Sequence, residues 1–304
     1  MAGGQPVGIR IPAMNPTSCP CPICRAPTVS VGEKRGIRID RIFRLRRCTE
    51  CGFAFVENPW TDYAAIYDET YYAGKGSDPL VDYAHEYGHP DWTIRRYEWA
   101  GIREVVNNLA PAANSWLDFG CGNGGLVRHI MKSSRYQISG FDTGAWAERA
   151  RADGLPILLE EELSRRTESF DIITAIEVIE HITDPVALLR DLRGHARPGT
   201  LLFLTTQNAA NAPRDFVRWP YVVPEIHVSF FTPRAMALAL EQSGFEPIYP
   251  GRVKRWDQIL RFKVLKNLGC HDIGRAERLL PWSLVAKLVD YAYKFTALPV
   301  GIAR

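Results

Sequence analysis

The chain has 304 residues and a net charge of +3, and 46% of its residues are hydrophobic against 23% charged. This balance is ordinary for a globular enzyme, and so small a charge does not require a nucleic-acid partner. No apolar run of about 18 residues is present, so no membrane-spanning helix is expected. Residues 1–16 lack the apolar core of a secretory signal and are predicted to form a flexible leader, which favours a cytoplasmic protein.

Residues 17–58 contain two C-x2-C pairs, and five of the seven cysteines of the chain fall in this segment. In a chain without a secretory signal, clustered cysteines are typical of metal ligands rather than disulfides. Two thiolate pairs on facing turns predict a zinc ribbon, a small β unit with a closed, structural four-sulfur site. The predicted zinc ligands are Cys21, Cys24, Cys48 and Cys51, and Cys19 is an alternative ligand.

The segment between the two cysteine pairs is strongly basic, because residues 33–47 include seven Lys or Arg. Their alternation with apolar residues predicts a hairpin with one basic face. We interpret that face either as a solvated strand surface or as a surface that attracts an acidic partner, such as a phosphorylated substrate or a nucleic acid.

Residues 59–110 are rich in aromatic side chains and are predicted to form a helical lid or linker. From residue 115 onward, short apolar runs alternate with segments of helical periodicity. That alternation predicts an α/β fold, with a mostly parallel sheet covered by helices on both faces. We assign this Rossmann-like domain to residues 111–252.

A glycine-rich turn follows the first of these strands, in LDFGCGNGG at 117–125. In an open α/β sheet, ligands bind beyond the carboxyl ends of the strands, where this turn lies. The acidic Asp118 before the turn disfavours a pyrophosphate, and the lack of a following Gly-Lys-Ser/Thr excludes a phosphate loop. Asp142, about twenty residues further on, lies where an acid accepts hydrogen bonds from ribose hydroxyls. A ligand with a ribose, a cation and no phosphate is indicated, and S-adenosylmethionine meets these conditions.

Four motifs, LDFGCGNGG, FDTG, FDIITAIEVIEHITDP and ARPGTLLFLTT, stand in the order and spacing of class I S-adenosylmethionine-dependent methyltransferases. The chain resembles that family over about residues 95–250. The resemblance implies the cofactor and a Rossmann-like methyltransferase fold. It also implies a cofactor site in which Asp118, Gly120, Cys121 and Gly122 line the methionine part, Asp142 holds the ribose with Thr143 beside it, and Glu177 lies nearby.

Methyl transfer often uses a base, and imidazoles that converge on one cleft are good candidates near neutral pH. The catalytic candidates are His181, after the fourth strand, and His227 with Glu225, after the fifth. The E-x-x-E-H pattern of Glu177, Glu180 and His181 resembles that of quinone-biosynthetic O-methyltransferases, in which it can hold a divalent metal. The stretch EIHVSFFTP and the zinc unit resemble methyltransferases of polysaccharide and deoxysugar pathways, in which His and acidic groups of this region serve as bases.

The predicted function is methyl transfer to a hydroxyl of a sugar, either nucleotide-linked or within a glycan. Sugar C-methyltransferases have a long C-terminal domain that this sequence lacks, which favours a hydroxyl acceptor. The alternatives are a quinone-type or other small molecule, and an RNA base, since some rRNA methyltransferases carry a similar zinc unit. The modest charge and the lack of an N-P-P-Y-like motif argue against RNA. The intact acids and glycines argue against a non-catalytic interaction module.

Residues 253–304 are predicted to form an amphipathic helical tail. Its apolar stripe runs through 281–301 and is flanked by Lys287 and Lys294. Packing against the domain or a second subunit is one interpretation. Peripheral contact with a membrane surface is the other.

Overall fold

The computed structural model describes residues 19–62, 66, 69–72, 82–249, 257–274, 280–285, 287 and 298–304. The predicted leader and most of the predicted helix at 281–301 lie outside the described residues. No helix in the described part of the chain has the length and apolar character needed to cross a bilayer.

The N-terminal unit is a small antiparallel sheet that carries the cysteine pairs. Strands β1 (Thr28–Arg35) and β2 (Ile42–Cys48) form a hairpin, and β3 (Ala54–Val56) pairs with β2. A short strand from far along the chain, β9 (Ser229–Phe230), completes the sheet by pairing with β3. The ribbon therefore shares its sheet with the domain that follows.

The main sheet has seven strands and holds the larger part of the core. Its strands are β4 (Ser115–Phe119), β5 (Gln137–Phe141), β6 (Ile157–Leu158), β7 (Phe170–Ile176), β8 (Ala196–Thr205), β10 (Phe245–Ile248) and β11 (Val300–Ala303). They lie in the order β10-β11-β8-β7-β4-β5-β6, and only β11 runs against its neighbours. This confirms the predicted mostly parallel α/β sheet. The winding reverses between β4 and β7, which is the switch point where such sheets bind ligands.

Helices cover both faces of the main sheet, as its apolar strands require. The α-helices in the described part of the chain are α1 (Glu69–Tyr72), α2 (Tyr83–Gly88), α3 (Arg95–Leu109), α4 (Gly125–Met131), α5 (Ala145–Ala152), α6 (Glu160–Ser164), α7 (Pro185–Gly194), α8 (Pro233–Gln242) and α9 (Asp257–Asn267). Side-chain caps mark the N-termini of three of them, α2, α7 and α8. Asp184 caps α7 by accepting from the Ala187 amide at 3.0 Å, and Thr232 caps α8 by accepting from the Ala235 amide at 3.1 Å.

The end of the chain differs from the predicted helical tail. Residues 300–303 form β11, which is inserted between β8 and β10 instead of continuing a helix. Leu201 and Leu202 of β8 pair with it, and its Val300 and Ala303 are buried. The prediction was wrong here because four apolar residues carry too short a pattern to separate a strand from a helix.

Helix α9, within the same predicted tail, packs tightly on α3. A Cβ on Gly101 of α3 would lie 2.6 Å from the Ile259 side chain, so only glycine permits this approach. Phe262 and Leu265 of α9 are also buried. The close packing brings the polar face of α9 to the carboxyl edge of the main sheet.

Candidate functional site

The glycine turn after β4 forms the floor of the site. Gly120 and Gly122 have φ angles of 73° and 55°, in the left-handed region that favours glycine. A Cβ on Gly120 would lie 2.4 Å from Val178, and one on Gly122 would lie 2.9 Å from the Tyr83 hydroxyl. The turn therefore keeps its backbone close to both the β7 loop and the aromatic segment.

Asp118, at the end of β4, is buried directly beneath this turn. Its Oδ1 accepts a hydrogen bond from the Thr174 hydroxyl at 2.7 Å, and Thr174 in turn accepts one from the Trp116 indole at 2.9 Å. Burial raises the pKa of Asp118 to about 7, and the negative charge of Asp142 adds to the effect. A cationic ligand group beside Asp118 would stabilise the ionised carboxylate. It would thereby offset the free-energy cost that burial imposes on the ionisation.

Asp142 follows β5 and is held by the backbone. Its two oxygens accept hydrogen bonds from the amides of Gly122, at 2.9 Å, and Gly144, at 2.7 Å. Thr143 beside it is exposed at the rim of the site. Cys121 is buried, and a Cβ on Gly140 would lie 2.8 Å from its sulfur, so the thiol faces the sheet.

Glu177, at the end of β7, has a φ of 53°, an uncommon conformation for a residue with a side chain. Its Oε1 accepts hydrogen bonds from Thr205 at 3.2 Å and from the Lys263 ammonium at 3.1 Å. Burial by itself would raise the pKa of Glu177, but Lys263 and Lys266 outweigh it and hold that pKa well below its usual value. The strained backbone and the partly buried ion pair keep a charged carboxylate at the switch point.

Two histidines of the site lie next to each other, with ring centroids 5.0 Å apart. The Nδ1 of His181 donates to the Ile226 carbonyl at 2.9 Å, and the Nδ1 of His227 donates to the Tyr221 carbonyl at 2.7 Å. A carbonyl oxygen can only accept, so Nδ1 carries the hydrogen in both rings. In its neutral form, each imidazole therefore has its acceptor lone pair on Nε2.

A partly buried tyrosine and a buried glutamate support the histidine pair. The Tyr221 ring stacks on His227 at 4.2 Å between centroids, and its hydroxyl donates to Glu180 at 2.7 Å. Burial raises the pKa of Glu180 well above its usual value, and the charge of Glu177 raises it further. The second oxygen of Glu180 is buried and makes no hydrogen bond to a described residue.

These groups line one cleft of about 1000 Å³ at the carboxyl edge of the main sheet. The cleft brings together nine of the ten residues proposed from the sequence for cofactor binding and catalysis: Asp118, Gly120, Cys121, Gly122, Asp142, Thr143, Glu177, His181 and His227. Glu225 is not among its lining residues. Its carboxylate instead accepts hydrogen bonds from the Ile37 and Arg38 amides of the ribbon.

A family model described as a methyltransferase domain matches residues 92–249, which is more than half of the chain. The chain belongs to this methyltransferase domain family. It is an S-adenosylmethionine-dependent methyltransferase with a Rossmann-like fold. The matched range contains the glycine turn, Glu177 and both cleft histidines, and it excludes the ribbon, α9 and β11.

Sequence relatives of the methyltransferase include a ubiquinone biosynthesis O-methyltransferase from Bordetella pertussis, 29% identical over 166 residues. That match covers 48% of this chain and 67% of the relative. A protein of the same name from Histophilus somni is 35% identical over 136 residues, which cover 40% of this chain and 54% of the relative. Among solved structures, an amino pentose methyltransferase from Micromonospora echinaspora matches with a TM-score of 0.41 and 15% identity, over 57% of this chain and 93% of its own.

The four predicted zinc ligands of the methyltransferase form a compact cluster. The sulfurs of Cys21 and Cys51 are 3.7 Å apart, and the Cys24 sulfur lies 3.4 Å from that of Cys48 and 3.5 Å from that of Cys51. A tetrahedral zinc with Zn–S bonds of about 2.3 Å needs sulfurs about 3.8 Å apart, so the donor set fits this metal. Cys19 does not belong to the cluster. A zinc held here would have four protein ligands, which is the arrangement of closed structural sites.

Two side chains of the cleft were missed by the sequence reasoning. Tyr221 supports His227 and Glu180, and Lys263 pairs with Glu177. A tyrosine six residues before a candidate base gives only a weak signal. Lys263 gives none, because lysine on a helix is ordinarily solvent-exposed.

Proposed function

We propose that the methyltransferase transfers its methyl group to a hydroxyl oxygen of a sugar, either nucleotide-linked or within a glycan. The observation that carries this proposal is the pair of His181 and His227 rings on the cleft wall, each with Nδ1 bonded to a carbonyl. A hydroxyl is a weak nucleophile until its proton is removed. A neutral imidazole with Nε2 as acceptor is suited to take that proton.

We assign cofactor binding and proton acceptance to different residues of the cleft. When bound, S-adenosylmethionine supplies an electrophilic methyl, whose bond to sulfur breaks as its bond to the acceptor oxygen forms. Asp118 and Asp142, on the glycine-turn side, would hold the cofactor through its ammonium and ribose groups. His227 would accept the hydroxyl proton at Nε2, with His181 as the neighbouring candidate, and Tyr221 would keep the His227 ring in place by stacking.

A sugar is favoured because the acceptor wall combines aromatic faces with hydrogen-bonding groups. Trp219 and Tyr221 line the cleft together with Gln207 and Glu177. A sugar can place an apolar C–H face on an aromatic ring. Its hydroxyls can donate hydrogen bonds to carboxylate or amide oxygens. The lining of the cleft offers both kinds of contact.

A phenolic hydroxyl of a quinone precursor is the second candidate. It is favoured by the sequence relatives, whose names specify ubiquinone biosynthesis. Its chemistry at His227 would be the same, because a phenol also loses its proton to a base.

An acceptor panel separates the two candidates. The purified full chain is incubated with methyl-labelled S-adenosylmethionine and with nucleotide sugars, glycans, catechols or tRNA, and label in each acceptor is counted. We expect label in a sugar, lost in His227→Ala. Label in catechols alone would replace the sugar with the quinone-type acceptor. Label in tRNA, weakened steeply by salt, would point to the RNA alternative.

The cleft offers a second arrangement, in which Glu180, His181 and His227 would together hold a divalent metal. Their ligand atoms lie within 4.8 Å of one another, and the orphaned, buried oxygen of Glu180 fits such an ion. The Nδ1 bonds to backbone carbonyls are also typical of metal-binding histidines. Glu177, predicted with this group from the sequence, pairs with Lys263 and lies outside it.

A bound metal would lower the pKa of a coordinated hydroxyl, in place of a histidine base. Metal content distinguishes the two arrangements. A base arrangement predicts about one zinc per chain, held by the cysteines. A metal arrangement predicts a second ion, which Glu180→Gln should release without affecting the first.

A further inference from the structure

The ribbon hairpin and the segment that carries His227 are joined by a buried carboxylate. Glu225 has no solvent exposure, and its Oε2 accepts a hydrogen bond from the Ile37 amide at 2.6 Å. Its Oε1 accepts another from the Arg38 amide at 3.1 Å. Both donors belong to the turn between β1 and β2, and they are 188 and 187 residues away in the chain. A buried carboxylate is tolerated only where such charge-assisted bonds replace water.

The turn is shaped around this carboxylate. A Cβ on Gly36 would lie 2.5 Å from the Glu225 Oε2 and 2.3 Å from the Ile39 carbonyl oxygen, well inside contact distance. Only a glycine at this position lets the next two amides reach the carboxylate. A glycine of the ribbon thus allows the hydrogen bonds that Glu225 of the catalytic domain accepts.

Further bonds hold the same segment on both sides of His227. The Lys34 ammonium donates to the Val222 carbonyl at 2.7 Å, and the Val56 amide donates to the Val228 carbonyl at 3.0 Å. Beyond them, β9 pairs with β3. The ribbon therefore contacts the segment before His227, at Glu225, and after it.

His227 takes its orientation from this segment. Its amide donates to the Val223 carbonyl at 2.8 Å, and its Nδ1 donates to the Tyr221 carbonyl at 2.7 Å. Both acceptors lie in the stretch that the ribbon holds. A shift of the stretch would move the ring relative to the acceptor, and displacements of about 1 Å can cost on the order of 100-fold in rate.

We propose that Glu225 is a positioning residue, through which the turn at residues 36–38 of the ribbon sets the place of the His227 ring. The ribbon thereby contributes to the geometry of the acceptor site. This inference deepens the proposed function and rests on His227 facing the acceptor. It replaces the sequence-based prediction that Glu225 takes part in the chemistry itself.

The test compares Glu225→Ala, Glu225→Gln and Gly36→Ala by NMR of ¹⁵N-histidine-labelled full chain and by kinetics. The His227 signals are assigned by their loss in His227→Asn. We expect Glu225→Ala and Gly36→Ala to shift or broaden the His227 ring signals and to lower kcat on the order of 100-fold, while S-adenosylhomocysteine affinity changes less than about threefold. Glu225→Gln retains an acceptor oxygen and should recover part of both effects. Asp40→Ala, an exposed acid of the same turn, is the matched control and should change neither.

Unchanged His227 signals in folded Glu225→Ala or Gly36→Ala would overturn the proposal. An equal loss of cofactor affinity and kcat would also overturn it, because it would indicate a general loss of structure. Shifted ring signals with normal turnover would support the positioning by Glu225 and would contradict His227 as the base. The ring signals need no acceptor, so the two hypotheses fail separately.

Discussion

Lys263 on α9 donates a hydrogen bond to Glu177 at the end of β7, with 3.1 Å between Nζ and Oε1. The two side chains are only 26% and 22% exposed, so this pair is largely removed from water. The lysine comes from a helix outside the matched family domain, and the glutamate occupies a strained position at the switch point. Helix α9 thus supplies the positive charge that pairs with the Glu177 carboxylate in the cleft.

We expect Lys263→Met to destabilise the protein by roughly 2 kcal/mol, because it removes the hydrogen-bonded cation from a Glu177 carboxylate that is only 22% exposed to water. The pKa of Glu177 should rise towards the value that burial favours. Chemical denaturation measures the loss, and the double variant Lys263→Met/Glu177→Gln should recover most of it.

The matched control for this pair is Lys132→Met, which breaks the exposed Lys132–Asp91 bridge. Exposed pairs contribute little to stability because water screens them, so its effect should lie near the error of measurement. Equal effects of Lys132→Met and Lys263→Met would show that the cleft pair has no special role.

Cofactor affinity should depend on pH through Asp118. Its pKa is raised to about 7, so the carboxyl of the empty protein is mostly protonated at pH 6 and mostly ionised at pH 8. A cofactor ammonium favours the ionised form. The affinity for S-adenosylhomocysteine should therefore rise with pH, by up to about tenfold per unit below pH 7, and level off above it. Calorimetry across pH 5.5–8.5 measures this slope.

The folding stability of the empty protein should show the opposite sign. A raised carboxyl pKa means that ionisation costs stability, so the contribution of Asp118 is lost as the pH rises through about 7. Asp118→Asn should remove this dependence and flatten the affinity profile. A wild-type affinity that stays constant over the range would argue against an ammonium at Asp118.

Replacing His227 should separate chemistry from cofactor binding. We expect His227→Ala to lower kcat by about 10²–10⁴-fold, because the acceptor loses its base, and to leave S-adenosylhomocysteine affinity unchanged. The exposed His271 provides the control substitution. If His181→Ala abolishes turnover and His227→Ala does not, the base is the neighbouring ring.

Zinc content should distinguish the four clustered cysteines from Cys19. Cys48→Ser removes one of four ligands and should reduce zinc from about one per chain to a small fraction, with a lower melting temperature. Cys19→Ser is the matched control, since Cys19 lies outside the cluster, and it should keep its zinc. Equal loss in both variants would place Cys19 among the ligands. Elemental analysis of dialysed protein measures the content.

Local motifs carried the parts of the fold and site that could be predicted. The glycine turn after a short apolar strand, the acids on either side of it and the two cysteine pairs each lie within a few residues. The physics that shapes them is equally local: φ angles open to glycine, caps on helices and thiolates at a fixed spacing. The alternation of strand and helix predicted the parallel sheet. Because the carboxyl ends of its strands meet at one edge, this prediction is enough to bring Asp118, Asp142 and Glu177 together.

Tertiary packing alone decided the rest. Glu225 accepts hydrogen bonds from amides 188 and 187 residues away, and Lys263 donates one to Glu177 across 86 residues, because the packing of the elements sets those distances. Nothing in VPEIHV shows that its glutamate faces a turn of the ribbon rather than the cleft. Likewise, residues 300–303 become a strand only because the sheet offers them the space between β8 and β10. Local sequence determined which chemical groups this protein has. Long-range packing determined which of those groups lie in contact. The reason is that the partner of a side chain depends on burial and on the approach of distant backbone segments, which no short sequence pattern encodes.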